Sequence, residues 1–257
     1  LRHSTAHVMA EAVLELFPDA QIAIGPAIEN GFYYDFDLPR PLTDADLEVI
    51  TKNMRKIINS GKSFVRKEVT RDEAREIFKN QKYKLELLDA IPEGETVTTY
   101  TQGGFTDLCR GPHVESTKDL VADGFKLLSI AGAYWRGNEK NKMLTRIYAT
   151  AWGSKEDLKA YMDHLADIEK RDHRKLGKEL DLFSLHEEAG PGLVYWHPRG
   201  ARIRQTIEQF WREEHYKNGY EMVYTPHVGK SWLWETSGHL GFYKDSMYPP
   251  MEMDNTD

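Results

Sequence analysis

His3 and His7 stand four residues apart, and in a helix that spacing puts both imidazoles on one face, within reach of one ion or one substrate. A zinc-protease helix would carry Glu directly after the first His; Ser4 holds that place, which removes the protease reading. The pair alone reads equally well as two surface or packed histidines. The second element is Cys109-Arg110-Gly111-Pro112-His113, where Gly and Pro exclude a helix, so the loop itself must aim the thiol and the imidazole. Cys109 is the only cysteine, so it forms no internal disulfide, and its plain reading is a small buried thiol. Three imidazoles and one thiol are a ligand set that zinc prefers. The same groups suffice for metal-free hydrolysis, in which a neutral His takes a proton from water near neutral pH.

Elements must position these groups. Val8, Ala12 and Leu16 recur at helical spacing and Pro18 closes the run, which predicts a helix over 3–17 carrying both histidines. Residues 22–37 read as strand and turn: isoleucines around Gly25-Pro26, then an aromatic run after Asn30-Gly31, the hairpin signal. A second helix is expected over 43–60, with Thr43 as N-cap and Gly61 just past its end. Residues 64–69 alternate as a strand, and Thr70 with Glu73 makes a capping-box signature for a helix over 71–81. A helix over 84–90, a strand over 97–101, a turn at Gly103-Gly104 and an irregular loop over 107–113 follow. Residues 127–133 and 144–151 read as buried strands. Residues 154–176 read as one long polar connecting helix, and the domain boundary is expected there. Beyond it, a loop and strand run to Trp196, residues 201–217 form an amphipathic helix with Ile203, Ile207, Phe210 and Trp211 on one side, and 220–224 read as a strand running into Pro226.

Composition sets the class. Of 257 residues, 40% are hydrophobic and 29% charged, as in soluble globular proteins. No apolar run approaches the roughly 18 residues that span a bilayer, and 1–9 lack the apolar core of a signal peptide. The net charge of −7 is no general nucleic-acid footprint, and the basic run 170–178 reads as a solvated helix end. A single cysteine suits a reducing cytoplasm. Leu1 already stands in helical pattern without an initiator Met, so the chain is expected to begin inside a longer protein.

H-x-x-x-H followed by C-x-x-x-H resembles the editing domain shared by threonyl- and alanyl-tRNA synthetases. PAIENGFYYDF at 26–36, YKLEL at 83–87 and FTDLCRGPHV at 105–114 resemble the threonyl branch, and the resemblance covers residues 1–152. It implies an α+β fold: a two-layer editing domain with an antiparallel sheet. It also implies hydrolysis of mischarged seryl-tRNA(Thr). Serine lacks threonine's methyl, and one such group discriminates by only about 1–3 kcal/mol, so a second site must remove the error. Carried over by resemblance, His3, His7, Cys109 and His113 line the hydrolytic pocket. Lys84 positions water or the terminal adenosine, Asp107 holds the seryl amine, and Gly25 and Tyr34 shape the wall against the threonine methyl. The resemblance covers free-standing editing proteins that bind zinc and bacterial threonyl enzymes that edit without it. We expect a metal-free pocket, with His3, His7, Cys109 and His113 as the ligands where zinc binds.

Residues 177–257 carry another signature. The helix and GYEMVYTP at 219–226 resemble motif 1 of class II synthetases, the dimer-forming helix and strand, with Gly219 and Pro226 as its marks. GPGLVYWHPRG at 190–200 and WETSGHLGFYK at 234–244 also resemble the threonyl enzyme. This implies the N-terminal part of a class II antiparallel-sheet core in a chain whose longer parent ligates threonine to tRNA(Thr) with ATP as a homodimer. Motifs 2 and 3 and the cysteine of the family's catalytic zinc are absent from 1–257, so ATP and that zinc are expected only in the longer parent. The domain expectation is therefore 1–152, 153–176 as connector, and 177–257. The alternatives are a stand-alone trans-editing deacylase, opposed by the motif 1 segment, and a non-catalytic remnant binding tRNA or a partner, opposed by the retention of the six groups His3, His7, Lys84, Asp107, Cys109 and His113.

Overall fold

A computed structural model describes residues 1–251, and the end of the expected 177–257 domain lies outside the described residues. The chain divides into two compact units after Arg171. The first runs α1 (Arg2–Leu16), β1 (Gln21–Ile22), β2 (Ala27–Ile28), β3 (Gly31–Asp37), α2 (Asp44–Asn59), β4 (Phe64–Val69), α3 (Arg71–Ile77), α4 (Lys82–Asp89), β5 (Val97–Gln102), β6 (Phe105–Leu108), β7 (Phe125–Tyr134), β8 (Met143–Ala151) and α5 (Lys155–Lys170).

Its larger sheet is antiparallel in the order β1-β3-β8-β7, with β2 also paired to β3; β4-β5-β6 form a second antiparallel sheet. Alternation along β3 sends Phe32, Tyr34 and Phe36 into one core with Met9 and Val13 of α1, Ile50 and Met54 of α2, and Ile147 of β8. The N-caps of α2 and α3 form as expected: the Thr43 and Thr70 hydroxyls accept from the N–H groups of Asp46 and Glu73, whose carboxylates return the bond. α1 departs from the stripe read in the sequence. Every residue from Ser4 to Val13 is buried, because the helix has the sheet and α2 on one side and β5 and the loop after β6 on the other. Its histidines are thus interior.

Other differences are local. The hairpin turns on Glu29 and Asn30, since Ile28 pairs with Gly31; Gly31 opens β3, where a Cβ would sit 2.3 Å from the carbonyl oxygen of Ala149. β7, expected buried, is a largely exposed edge strand paired on one side only, by β8. The helix expected over 71–81 stops at Ile77. The single helix expected over 154–176 is two, broken at Arg171-Asp172, where the Asp172 carboxylate accepts from Arg174 N–H and starts a new helix.

The second unit holds α6 (His173–Glu179), β9 (Phe183–Leu185), β10 (Val194–Trp196), α7 (Pro198–Lys217), α8 (Ser231–Thr236) and α9 (His239–Phe242). β9 and β10 pair antiparallel, with Phe183 opposite Trp196. Among the described residues this two-stranded antiparallel sheet is all the β-structure of the unit. Residues 220–224 are not a strand: no described segment pairs with them, and an unpaired strand leaves its ladder groups to water. Ile207, Phe210 and Trp211 of α7 are each more than half exposed.

Candidate active site

α1 delivers His3 and His7 one turn apart, and the loop after β6 delivers Cys109 and His113, giving four ligand-capable atoms within 4.8 Å of one another. The Cys109 Sγ lies 3.3 Å from His3 Nε2 and 3.2 Å from His113 Nε2, and accepts from Gly111 N–H at 3.1 Å. Gly111 has φ +70°, and a Cβ there would meet the Tyr100 hydroxyl at 2.4 Å; only glycine turns the chain in this space.

Ser4 ties α1 to the loop: its Oγ accepts from Val114 N–H at 3.1 Å and lies 3.0 Å from His113 Nδ1. With the hydroxyl assigned as the donor to Nδ1, neutral His113 carries its proton on Nε2 and donates it to the Cys109 sulfur, and the thiol proton points at His3 Nε2. Burial drives each group toward its neutral form. It pushes the Cys109 thiol up to about 11, against the opposing Gly111 N–H. It pulls His7 down to about 3 and His113 to about 2, and lowers His3. All four are neutral near pH 7.

Behind them is a charged layer. Asp107 of β6 and Lys84 of α4 are an ion pair with side chains 4% and 2% exposed. The Tyr34 hydroxyl donates to Asp107 Oδ2 at 2.6 Å and accepts from Lys84 Nζ at 3.0 Å. Leu108 N–H donates to Oδ1 at 2.7 Å, and His7 Nε2 lies 3.5 Å from Oδ2. Burial alone would raise the Asp107 carboxyl; Lys84, His7 and the hydrogen bonds outweigh it and hold it below the usual carboxylate range. Burial and the neighbouring carboxylate raise Tyr34 well above the ordinary phenol. Gly25 backs the Tyr34 ring so closely that a Cβ there would lie 2.0 Å from Tyr34 Cδ2.

The structure thus joins His3, His7, Cys109, His113, Lys84, Asp107, Tyr34 and Gly25 into one continuous site. Gly219 and Pro226 belong to the second unit: Gly219 ends α7 with φ +80°, and Pro226 stands in an irregular run. Sequence reasoning missed three neighbours. Ser4 was used only to reject a protease motif, although its place between the two histidines was the available signal. Phe64 stacks flat on His113 with centroids 5.0 Å apart, and Tyr100 packs beside it at 4.5 Å. Both come from the second sheet, and nothing in their local sequence marks them.

Three imidazoles and one thiol at these separations fit zinc's donor preference. His7 Nδ1, buried and without a hydrogen-bond partner among the described residues, is the one nitrogen the protein leaves unsatisfied. Both nitrogens of His113, His3 Nε2 and the Cys109 sulfur carry hydrogen bonds within the cluster and to Ser4.

The family described as the threonyl and alanyl tRNA synthetase second additional domain matches residues 97–148, which contain β5, β6, Asp107, Cys109 and His113. Threonine–tRNA ligases of Borrelia recurrentis (strain A1) and Borrelia turicatae (strain 91E135) are 59% and 58% identical to this chain over 256 and 255 residues. That of Borreliella burgdorferi (strain ZS7) is 57% identical over 256 residues. These matches cover 100%, 99% and 100% of the chain and 44% of each relative, so the chain spans less than half of their length.

Proposed function

Because the chain is from end to end a relative of the threonyl-tRNA synthetases, we propose that its first unit hydrolyses seryl-tRNA(Thr), the mischarged product of an enzyme that joins threonine to tRNA(Thr) with ATP. One observation carries the reading: a neutral His/Cys cluster opening beside a buried Lys84–Asp107–Tyr34 layer. Such a pocket offers proton acceptors for water and fixed polar groups for a small hydroxylated amino acid.

Cys109 is not the nucleophile in this reading. A thiol pushed up to about 11 is ionised to only about one part in ten thousand at pH 7. Water attacks the ester, and His3, the cluster member lining the open cavity beside Pro112, takes its proton at Nε2 once the Cys109 thiol proton turns away, then passes it to the ribose oxygen as the acyl–oxygen bond breaks and serine leaves. Cys109 and His113 fix the His3 ring. Asp107 already accepts from Lys84, Tyr34 and Leu108 N–H, so capture of the seryl amine would displace a buried partner. We therefore assign Asp107 to holding Tyr34, Lys84 and His7 in place, and Lys84 to orienting the ester with it. Tyr34, pressed from behind by Gly25, is the wall that the extra methyl of threonine strikes. Where zinc binds, His3, His7, Cys109 and His113 hold it and Ser4 supports His113 from outside; the ion then supplies a water of lowered pKa.

The second unit is assigned to the start of a class II core with motif 1 over 204–226, dimerising in the whole protein, which we place in the cytoplasm. Similarity that continues through this unit favours the synthetase reading over a stand-alone deacylase.

The test is deacylation of seryl-tRNA(Thr) by the chain, with threonyl-tRNA(Thr) as control and a chelator in parallel. Selective hydrolysis of the seryl form, lost in Cys109→Ala and His3→Ala, is expected, and we expect it to survive the chelator. A folded chain that leaves seryl-tRNA(Thr) intact refutes the proposal.

A further inference from the structure

Glu11 follows His7 by one turn on the face of α1 that carries His3 and His7, and the hydrolytic reading gives it no role. It is buried, 7% exposed, and clamped from two sides. Lys62 Nζ donates to Oε1 at 2.6 Å, and Gln102 Nε2 donates to Oε2 at 3.3 Å. Both donors are fixed to the second sheet. Gln102, buried in β5, stands opposite Phe64 of β4 and Phe105 of β6. Lys62 N–H donates to Thr117 Oγ1, and its carbonyl accepts from Thr117 N–H. The Lys62 stem runs over Gly103, where φ is +55° and a Cβ would lie 2.4 Å from Lys62 Cδ. His7 has no comparable anchor. Its Nε2 comes only to 3.5 Å from Asp107 Oδ2, and Nδ1 has no partner among the described residues. Its ring otherwise rests on Phe105 and Phe64, the two residues that flank Gln102, with centroids 5.7 and 6.4 Å away. Such packing is non-directional, whereas a charge-assisted hydrogen bond is short and directional. The first turn of α1 is tied down through Ser4 and the third through Glu11, and His7 lies between the two ties.

We propose that Glu11, held by Lys62 and Gln102, is a positioning residue of the hydrolytic site. It fixes the rotation of α1 against the second sheet, and with it the placement of His7 beside Asp107 and of His3 beside Cys109. It touches no reacting atom. The inference rests on the hydrolytic reading of the cluster, and a readout without activity keeps the two failures apart.

The full chain is compared with Glu11→Leu, with Glu11→Gln, and with the double variant Glu11→Leu, Lys62→Met, each assayed well below its Tm. Glu11→Leu leaves the Lys62 ammonium without its partner and should melt lower; the double variant removes that charge as well and should recover stability. In seryl-tRNA(Thr) hydrolysis both should lose kcat by about tenfold to a hundredfold, as for a displacement of about 1 Å at the reacting groups. Their KM should stay within about twofold, since the substrate meets the same surface. Glu11→Gln keeps the length and an acceptor for Lys62, and a half-turn of the Gln102 amide brings Oε1, which has no partner among the described residues, to the new N–H. That variant should hold kcat within about threefold. Independently of activity, ¹⁵N NMR should find the His3 and His7 imidazole resonances displaced in Glu11→Leu and in the double variant, and retained in Glu11→Gln. A double variant whose kcat and resonances return together with its stability shows that Glu11 only holds the fold, and overturns the inference. Imidazole resonances unmoved in Glu11→Leu overturn it too, whatever the activity. Displaced resonances in a chain whose unaltered form hydrolyses nothing refute the hydrolytic reading alone and leave Glu11 as the residue that places the two histidines.

Discussion

Replacing Lys84 by Met removes the cation from a pair whose side chains are 2% and 4% exposed and leaves Asp107 charged in the interior. Breaking a buried pair this way costs about 3–5 kcal/mol, because the remaining charge has lost both water and partner. Asp107 keeps the Tyr34 hydroxyl and Leu108 N–H as donors, which argues for the lower end, about 3 kcal/mol. A domain of this size loses roughly 2–4 °C of Tm per kcal/mol, so the first unit should melt about 6–12 °C lower. Removing both partners, in Lys84→Met with Asp107→Leu, should recover most of that loss, since no buried charge is left, yet remain dead in seryl-tRNA(Thr) hydrolysis. The pH dependence gives an internal check. The unaltered Asp107 is held below its usual pKa, so its stabilisation is present above about pH 4 and lost as pH falls through the folded value. Without Lys84, burial dominates and raises that carboxyl, so the single variant should gain stability on acidification relative to the unaltered chain. Calorimetry of the three proteins from pH 4 to pH 7 measures all of this. A Lys84→Met protein melting within a degree of the unaltered chain, or a double variant no more stable than the single, refutes the argument.

Gly25→Ala places a methyl inside the Tyr34 ring; the ring must move, at a cost of about 1–3 kcal/mol, and the ratio of seryl to threonyl hydrolysis should fall. An unchanged ratio would remove Tyr34 from the discriminating wall. Ser4→Ala takes away the hydroxyl assigned as donor to His113 Nδ1, so ¹⁵N NMR of the imidazole should show its proton redistributed between the ring nitrogens, with hydrolysis falling about tenfold or more; a retained tautomer would show that Ser4 does not set it. His7 is buried neutral with its pKa lowered to about 3, so the unfolded chain binds a proton that the folded one refuses as pH drops below about 6.5. It should destabilise the fold by up to about 2 kcal/mol at pH 5 relative to pH 7, and a His7→Gln variant with the same acid sensitivity as the unaltered chain would disprove that source.

The sequence alone determined what is written in short-range bonds and in spacing. The caps of α2 and α3, the helix carrying His3 and His7 on one face, and the non-helical loop from Cys109 to His113 depend on neighbours within a few residues, so residue type decides them. Lys84, Asp107, Gly25 and Tyr34 were legible through resemblance alone, for no local rule joins residues so far apart along the chain. Tertiary structure decided the rest. Burying α1 on all sides brought Ser4 to His113 and His3 to Cys109, over a hundred residues away, and the second sheet supplied Phe64 and Tyr100. The break at Arg171-Asp172 and the unpaired course of 220–224 also lay beyond the pattern. A helix ends where a competing cap closes it and a strand exists where an edge receives it, and polarity patterns record neither. The same long-range burial makes the site chemically distinct, because desolvation moves three imidazoles down and the thiol up from their ordinary values, shifts that no reading of their types could establish.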